Sequence, residues 1–329
     1  MVTAHGPVFV GGAERTGTSL TYALLTSHPS IAMTRRTNYW RYIDGKFGDL
    51  AEDRNLAECL DVMRRYKRLD VIDIDWDRLR EDFRQGPASY GRLYELLQRQ
   101  QSERDGKPRW GDKSLLNERY AERIFESFDD ARIIHMVRDP RDRYASVLAR
   151  WKVRRGGVGA GMGEWLESAR HAESNVERWP SKCTIMRYED LVAAPEAEMQ
   201  RICDFIGEPY DPEMLTMSGA EPFRTQGANS SYGKRPTGAI STSSIGKYTK
   251  VLSDGQVRYI ERVARAEMDR HGYQPSLSPS TGSEALRFRT MILPFEEARR
   301  RAWEARGVWN ALRSKSVPSY RFVDRETGS

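Results

Sequence analysis

Residues 8–20 read VFVGGAERTGTSL, and the reading of this stretch decides the fold. Val8, Phe9 and Val10 make a short apolar run that stops at Gly11 and Gly12. The chain then opens through Glu14, Arg15, Thr16, Gly17, Thr18 and Ser19 into Leu20, Tyr22, Leu24 and Leu25. The spacing from Gly12 to Gly17, followed by Thr18 and Ser19, is the phosphate-loop pattern G-x-x-x-x-G-K-[ST] with threonine in place of lysine. Glycines let such a loop turn tightly and bring backbone N–H groups to a phosphate, and the helix N-terminus adds a partial positive charge. A basic side chain is retained as Arg15, two residues before the second glycine. Loss of the lysine speaks against ATP or GTP chemistry and for a different phosphate donor.

A second junction of the same kind lies at 132–148, RIIHMVRDPRDRYASVL. An apolar run from Ile133 to Val137 ends at Arg138. Pro140 suits the first turn of a helix, where its missing N–H costs nothing. Ser146 follows Arg138 by eight residues. A guanidinium presents a planar fork of donors to phosphate oxygens, and a hydroxyl a turn or two along the helix adds another. The competing reading of Arg138 is an ion pair with Asp139 or Asp142 on a solvated face.

Together, the R-[ST]-G-T-[ST] core at 15–19 and the Arg138–Ser146 pair resemble the donor-binding motifs of sulfotransferases that use 3′-phosphoadenosine-5′-phosphosulfate (PAPS). The resemblance runs from residue 7 to about 272, and its order of motifs is similar to bacterial members. It implies an α/β, P-loop-NTPase-like fold, a mostly parallel sheet flanked by helices on both faces. It also implies that Arg15, Thr16, Gly17, Thr18 and Ser19 meet the 5′-phosphosulfate and that Arg138 and Ser146 meet the 3′-phosphate. The product would be the desulfonated nucleotide PAP, and the chemistry requires no metal.

Two weaker segments fit the same resemblance. Trp110-Gly111-Asp112-Lys113-Ser114 looks like the strand-end lysine motif of tyrosylprotein and heparan sulfotransferases, which implies that Lys113 reaches the sulfuryl group or its bridging oxygen. Ser241 to Tyr248 resembles an S-x-G-[RK]-[WY] segment that folds over the nucleotide, which makes Ser244 and Lys247 donor contacts; a flexible serine-rich loop is the alternative. The general base departs from the pattern. Relatives place a glutamate a few residues beyond a His-Pro pair, whereas here His28-Pro29 leads to Arg35-Arg36. Asp112 is the local substitute as base, with Asp44 a weaker option. His135, between Ile134 and Met136, reads as a core histidine. Arg35 and Arg36 fit an anionic acceptor or closure of the donor site.

Length and composition frame these motifs. The chain has 329 residues, 39% of them hydrophobic, with eight tryptophans, enough for one large α/β domain with an appendage. Cys59, Cys183 and Cys203 have neither metal-ligand spacing nor an even count for disulfides. No apolar run is long enough to span a bilayer, and the first strand leaves no room for a signal peptide, so a cytoplasmic enzyme is expected. Net charge is +6, but residues 275–329 hold ten basic and six acidic side chains and so supply +4 of it. The main domain is close to balanced, which favours an anionic small-molecule donor over nucleic acid.

The pattern divides the chain into a domain at 1–273, a linker at 274–283 (QPSLSPSTGS) and a basic amphipathic helical appendage at 284–329. Strands are expected near 7–11, 31–33, 109–113, 132–137 and 183–187. Helices are expected at 17–27, 53–66, 90–103, 140–151, 164–178, 195–206 and 253–271. The glycine-rich segment 153–163 reads as a mobile loop. In the appendage, Ile292, Phe295, Ala298, Ala302, Trp309 and Leu312 follow a helical stripe among Arg299, Arg300, Arg301 and Arg306. Such a helix suits peripheral contact with the inner membrane face; the alternatives are packing on the main domain or on a second subunit of a homo-oligomer. The acceptor class is a small-molecule, lipid or glycan hydroxyl, with Tyr39, Trp40, Tyr42, Trp151 and Tyr232 as candidate pocket walls. A kinase of the same fold would need the missing lysine and a strand-end aspartate for magnesium; a catalytically inactive PAP-binding protein is the other rival.

Overall fold

The computed structural model describes residues 6–69, 72–150, 156–220, 240–277 and 281–313. In chain order the elements begin with β1 (Val8–Gly11), α1 (Thr18–Thr26), β2 (Ile31–Arg35), α2 (Tyr39–Tyr42), α3 (Asp53–Arg65), α4 (Trp76–Arg84) and α5 (Tyr90–Arg104). The central part contains β3 (Arg109–Lys113), α6 (Ala121–Ser127), β4 (Arg132–Val137), α7 (Pro140–Arg150), α8 (Gly157–Arg178) and β5 (Cys183–Arg187). Then follow α9 (Tyr188–Ala193), α10 (Pro195–Ile206), α11 (Asp254–Val263), α12 (Arg265–Arg270), α13 (Gly282–Arg287) and α14 (Leu293–Arg313).

The five strands form one parallel sheet in the order β2-β3-β1-β4-β5. Strand β1 sits at the centre, and the chain leaves it first towards β3 and β2 and later towards β4 and β5. Open parallel sheets bind ligands beyond the carboxyl ends of the strands at such a reversal. The register sets the ends of three strands side by side there, with Val10 beside Lys113 and Gly11 beside His135.

Side chains alternate across the sheet, as the pleat requires. Phe9 and Trp110 face a core that also holds Tyr39, Trp40, Leu60, Tyr94 and Leu97. Val8, Val10 and Met33 face the opposite side, against Leu24, Leu25, Ile202 and Cys203. A third cluster, including Tyr144, Trp165, Leu166, Tyr259 and Met268, joins α7, α8, α11 and α12. Tyr39, Trp40 and Tyr42 are therefore core residues and not pocket walls; the Tyr39 ring stacks on Tyr94 with centroids 4.2 Å apart. Trp151 and Tyr232 lie outside the described residues.

One segment differs from its sequence reading for a clear reason. Residues 157–163 are the first turns of α8 and not a loop. A Cβ at Gly159 would sit 2.0 Å from the Glu296 carbonyl oxygen, and one at Gly163 would sit 2.7 Å from the Trp303 ring. These glycines permit close approach of α14, and the energy of that packing outweighs their poor helix propensity. The helix expected over 253–271 is present but divides at Ala264.

Candidate active site

The phosphate loop is shaped by backbone conformations that few residues adopt. Gly12 has φ +130°, Arg15 +72° and Gly17 +110°. A Cβ at Gly17 would stand 2.8 Å from the Tyr188 ring, so the loop also needs glycine there for room. Thr16 is buried, and its hydroxyl and its N–H both donate to the Ala13 carbonyl, at 2.8 and 3.4 Å, which closes the loop on itself. Thr18 opens α1, whose N-terminus faces the loop.

Behind the loop stands Glu118, a fully buried carboxylate that no sequence motif marks. Its Oε2 accepts from the Gly12 N–H at 2.9 Å, and its Oε1 accepts from the Ser168 hydroxyl. Burial pushes its carboxyl up. His135 Nδ1 is 3.8 Å from Glu118, and burial depresses the ring to about 3, so the histidine is neutral. It occupies the core, as its sequence neighbours imply. The one cue to Glu118 is local: a charged residue directly after Leu115-Leu116-Asn117, where chain burial is to be expected.

At the β4 end, Arg138 donates from Nη1 to the Arg15 carbonyl at 3.3 Å and from Nη2 to the Ser244 carbonyl at 2.8 Å. Its guanidinium lies over the Tyr188 ring, 4.2 Å from the centroid. Asp139 is engaged by Arg141 at 2.6 Å. Asp142 accepts from the N–H groups of Gly246 and Tyr248 at 2.6 and 2.9 Å. Neither acid is therefore the surface partner that the competing reading needs. Asp142 instead ties the 242–250 segment to α7, which brings Ser244 to Arg138; Lys247 sits exposed on the same segment.

Ser146 accepts from Arg15 Nε at 3.0 Å. Arg15, Arg138, Ser146 and Ser244 thus converge at one place, with Arg15 linking the loop to the β4 side. The buried Nε of Arg138 has no hydrogen-bond partner among the described residues. An arginine donor left over beside a hydroxyl and a second arginine is the chemistry that suits a phosphate.

Lys113 lies at the end of β3, only 4% exposed, with Nζ 3.4 Å from the Ser19 hydroxyl. Burial pushes its ammonium down to about 7, with Arg36, Arg35 and Arg15 nearby adding to the shift and Asp112 opposing it. Arg36 is held beside it: its N–H donates to the Lys113 carbonyl at 2.7 Å, and its φ is +57°. Such strain in a non-glycine residue points to a positional demand. Burial also lowers Arg15 and Arg36, and Glu14 acts on both as an opposing negative charge. Glu14 sits inside the stretch quoted first, yet the phosphate-loop pattern gives that position no role. Its backbone is fixed from two sides, by Glu164 accepting its N–H at 3.3 Å and Arg143 bonding its carbonyl at 2.8 Å.

Asp112 does not fit the base role expected of it. Neighbouring strand positions point to opposite faces, so Asp112 and Lys113 diverge. Asp112 is 0% exposed. Its Oδ1 accepts from Thr34 and Thr37 at 3.1 and 3.0 Å, and its Oδ2 from Asn117 at 3.4 Å. Burial raises its carboxyl, but no face is left for an acceptor; it braces the turn after β2. Asp44 is bound to Arg123 at 2.7 Å.

This geometry can be set beside known proteins. Residues 7–212 match the model of the sulfotransferase family. This chain belongs to that family. Protein-tyrosine sulfotransferase A of Caenorhabditis elegans is 26% identical over 215 residues, covering 63% of this chain and 51% of that protein. The protein-tyrosine sulfotransferase of Drosophila melanogaster is 22% identical, covering 63% and 39%. The chain thus spans about half or less of the length of these two relatives. Among solved structures, the sulfotransferase domain of the Synechococcus PCC 7002 olefin synthase superposes with TM-score 0.58 at 17% identity, covering 82% of this chain and 94% of that one. The fold is the sulfotransferase fold, P-loop-NTPase-like with helices on both faces of the parallel sheet. Among the described residues no group of His, Cys, Asp and Glu could hold a metal ion.

Proposed function

We propose that this protein transfers the sulfuryl group of PAPS to a phenolic hydroxyl and releases PAP. The observation that carries this reading is the convergence of Arg15, Lys113, Arg138 and Ser146 at the carboxyl ends of β1, β3 and β4. The β4 end offers phosphate chemistry, and Lys113 at the β3 end with Arg15 in the loop after β1 supplies the two cations that we assign to the charge built up in sulfuryl transfer. As the acceptor oxygen forms its bond to sulfur, the bond from sulfur to the phosphate oxygen breaks and negative charge moves onto the departing nucleotide. Lys113 and Arg15 are positioned to meet that charge, and such charge stabilisation supplies most of the catalysis in transfers of this type.

The phenol is argued from chemistry as well as from the relatives' names. Arg35 stands where the family pattern places a glutamate, so a strong base is missing from β2. A phenol, with pKa near 10, gives up its proton more readily than a sugar or lipid alcohol. The basic set of Arg35, Arg36 and Lys113 stabilises a phenolate further. Glu14 is the carboxylate we assign to accept the proton, because it acts on both Arg15 and Arg36. Small-molecule, lipid and glycan alcohols are the competing acceptors.

Labelled PAPS should therefore transfer its sulfur to a tyrosine-containing peptide or to 4-nitrophenol, but not to a simple alkyl alcohol. Glu14→Gln should slow transfer to a weakly acidic phenol far more than transfer to 4-nitrophenol. Equal slowing of both acceptors removes Glu14 from the proton path, and preferential labelling of the alcohol rejects the phenolic acceptor.

A further inference from the structure

The outer side of the C-terminal helix carries a feature that sulfuryl transfer does not use. Helices α13 and α14 run on through a π turn at Phe288–Ile292 into one long helix lying along α8. Its inner side is committed. Phe288 is buried, Trp303 covers Gly163, and Glu296 accepts from the Gly159 N–H at 2.9 Å. Tyr259 bonds Glu297 at 3.3 Å.

The outer side is apolar as well. Leu286 is 63% exposed, Met291 65%, Phe295 57% and Trp309 54%. These are four of the six large hydrophobic side chains found exposed among the described residues. Met291 and Phe295 continue through Ala298 and Ala302 to Trp309 at steps that keep to one helix face. The π turn brings Leu286 onto the same line. At 1.5 Å per residue the ridge is roughly 35 Å long.

Charge is sorted across the helix. Glu296 and Glu297 lie towards the domain, and Glu304 pairs with Arg300. Arg287, Arg289 and Arg306 are exposed, on or beside the outer side, while Arg301, also exposed, reaches back to Glu297 at 3.3 Å. Arg299 stacks over Phe295, 4.0 Å from its ring centroid. A second copy of the chain laid on this ridge would set arginine rim against arginine rim, which is repulsive in either orientation. An extended anionic surface has the complementary charge.

We propose that this outer ridge docks the protein on an anionic membrane surface, with Leu286, Met291, Phe295 and Trp309 entering the headgroup boundary and the arginines meeting lipid phosphates. No described helix is long and apolar enough to cross a bilayer, so the contact is peripheral. Helix α8 connects the ridge to the phosphate loop, since Glu164 holds the Glu14 N–H and Arg143. The expectation of a single stripe is thereby corrected. Ile292 is half-buried and packs towards the domain cluster, while Phe295 and Trp309 face outward; the Leu312 side chain lies outside the described residues.

The test is co-sedimentation of the full chain with phosphatidylcholine vesicles and with phosphatidylserine-containing vesicles, beside sedimentation equilibrium without lipid. The expected result is binding to the anionic vesicles that Arg289→Glu with Arg306→Glu weakens about tenfold or more, and that Phe295→Ser weakens separately. Both variants alter exposed side chains, so their melting temperatures should stay near the parent's. If one does not, the other decides alone. Equal binding to both vesicle types, or binding unchanged in the variants, overturns the proposal. So does a dimer in solution that Phe295→Ser dissociates.

Discussion

In the proposed function the ends of β1 and β4 make a donor half and the ends of β2 and β3 an acceptor half, and the two are built on different principles. In the donor half, each motif is a short strand-to-helix turn with glycine or proline at fixed places. It is cross-braced: Arg15 to the Ser146 hydroxyl, Arg138 to the Ser244 carbonyl and the Tyr188 ring, and the Gly12 N–H to the Glu118 carboxylate. In the acceptor half, a buried lysine is crowded by arginines from distant segments, and Arg36 is held at positive φ. Phosphate recognition is a local geometry problem, whereas charge crowding is a tertiary one. The first leaves a motif in the sequence; the second leaves only residue types.

The largest expected effect tests the acceptor half. Lys113→Met should lower turnover about a hundredfold to a thousandfold, the usual cost of removing a charge-stabilising donor. The pH dependence of PAP binding adds a finer check. Lys113 in the free protein titrates near 7, and a bound anion favours its charged form. Affinity should therefore fall as pH rises above about 7, with proton uptake measurable by calorimetry in buffers of different ionisation heat. Lys113→Met should remove that slope. A slope that survives the substitution would place the titrating group elsewhere.

Glu118 tests the bracing of the donor half. Glu118→Ala leaves the Gly12 N–H and the Ser168 hydroxyl unsatisfied in the core, at a cost of about 1–3 kcal/mol for each buried group. Urea unfolding should show that loss, and PAP affinity should fall with it. Unchanged stability would mean that the loop keeps its shape without the carboxylate.

The smallest effect is expected at Asp112. Because its carboxylate braces Thr34 and Thr37 and faces no acceptor, Asp112→Asn should lower the melting temperature while leaving the acid limb of the turnover–pH profile in place. Loss of that limb would return Asp112 to the role of base.

The same contrast explains what is legible in the chain before folding. All five strands are legible: β1, β2, β4 and β5 through short apolar runs with β-branched residues bounded by glycine, proline or charge, and β3, which has no β-branched residue, through the strand-end lysine motif that it resembles. Arg138 and Ser146 stand out through the family-like spacing, and the fold brings both to Arg15. Glu118 is not, since its partners lie 106 and 50 positions away in sequence. Asp112 misleads because adjacency to Lys113 along a strand means separation in space. Residues 157–163 mislead because glycine for close helix packing has the same composition as glycine for a loop.

The most direct measurement compares the binding of PAP and of 5′-AMP to the parent protein and to Arg138→Ala. If Arg138 reads the 3′-phosphate, the parent should prefer PAP, and the substitution should remove most of that preference, about 1.5–3 kcal/mol, while changing 5′-AMP affinity little. Ser146→Ala should remove a smaller part. A parent that binds the two nucleotides equally, or an Arg138→Ala variant that keeps the full preference, would contradict the assignment on which the donor half rests.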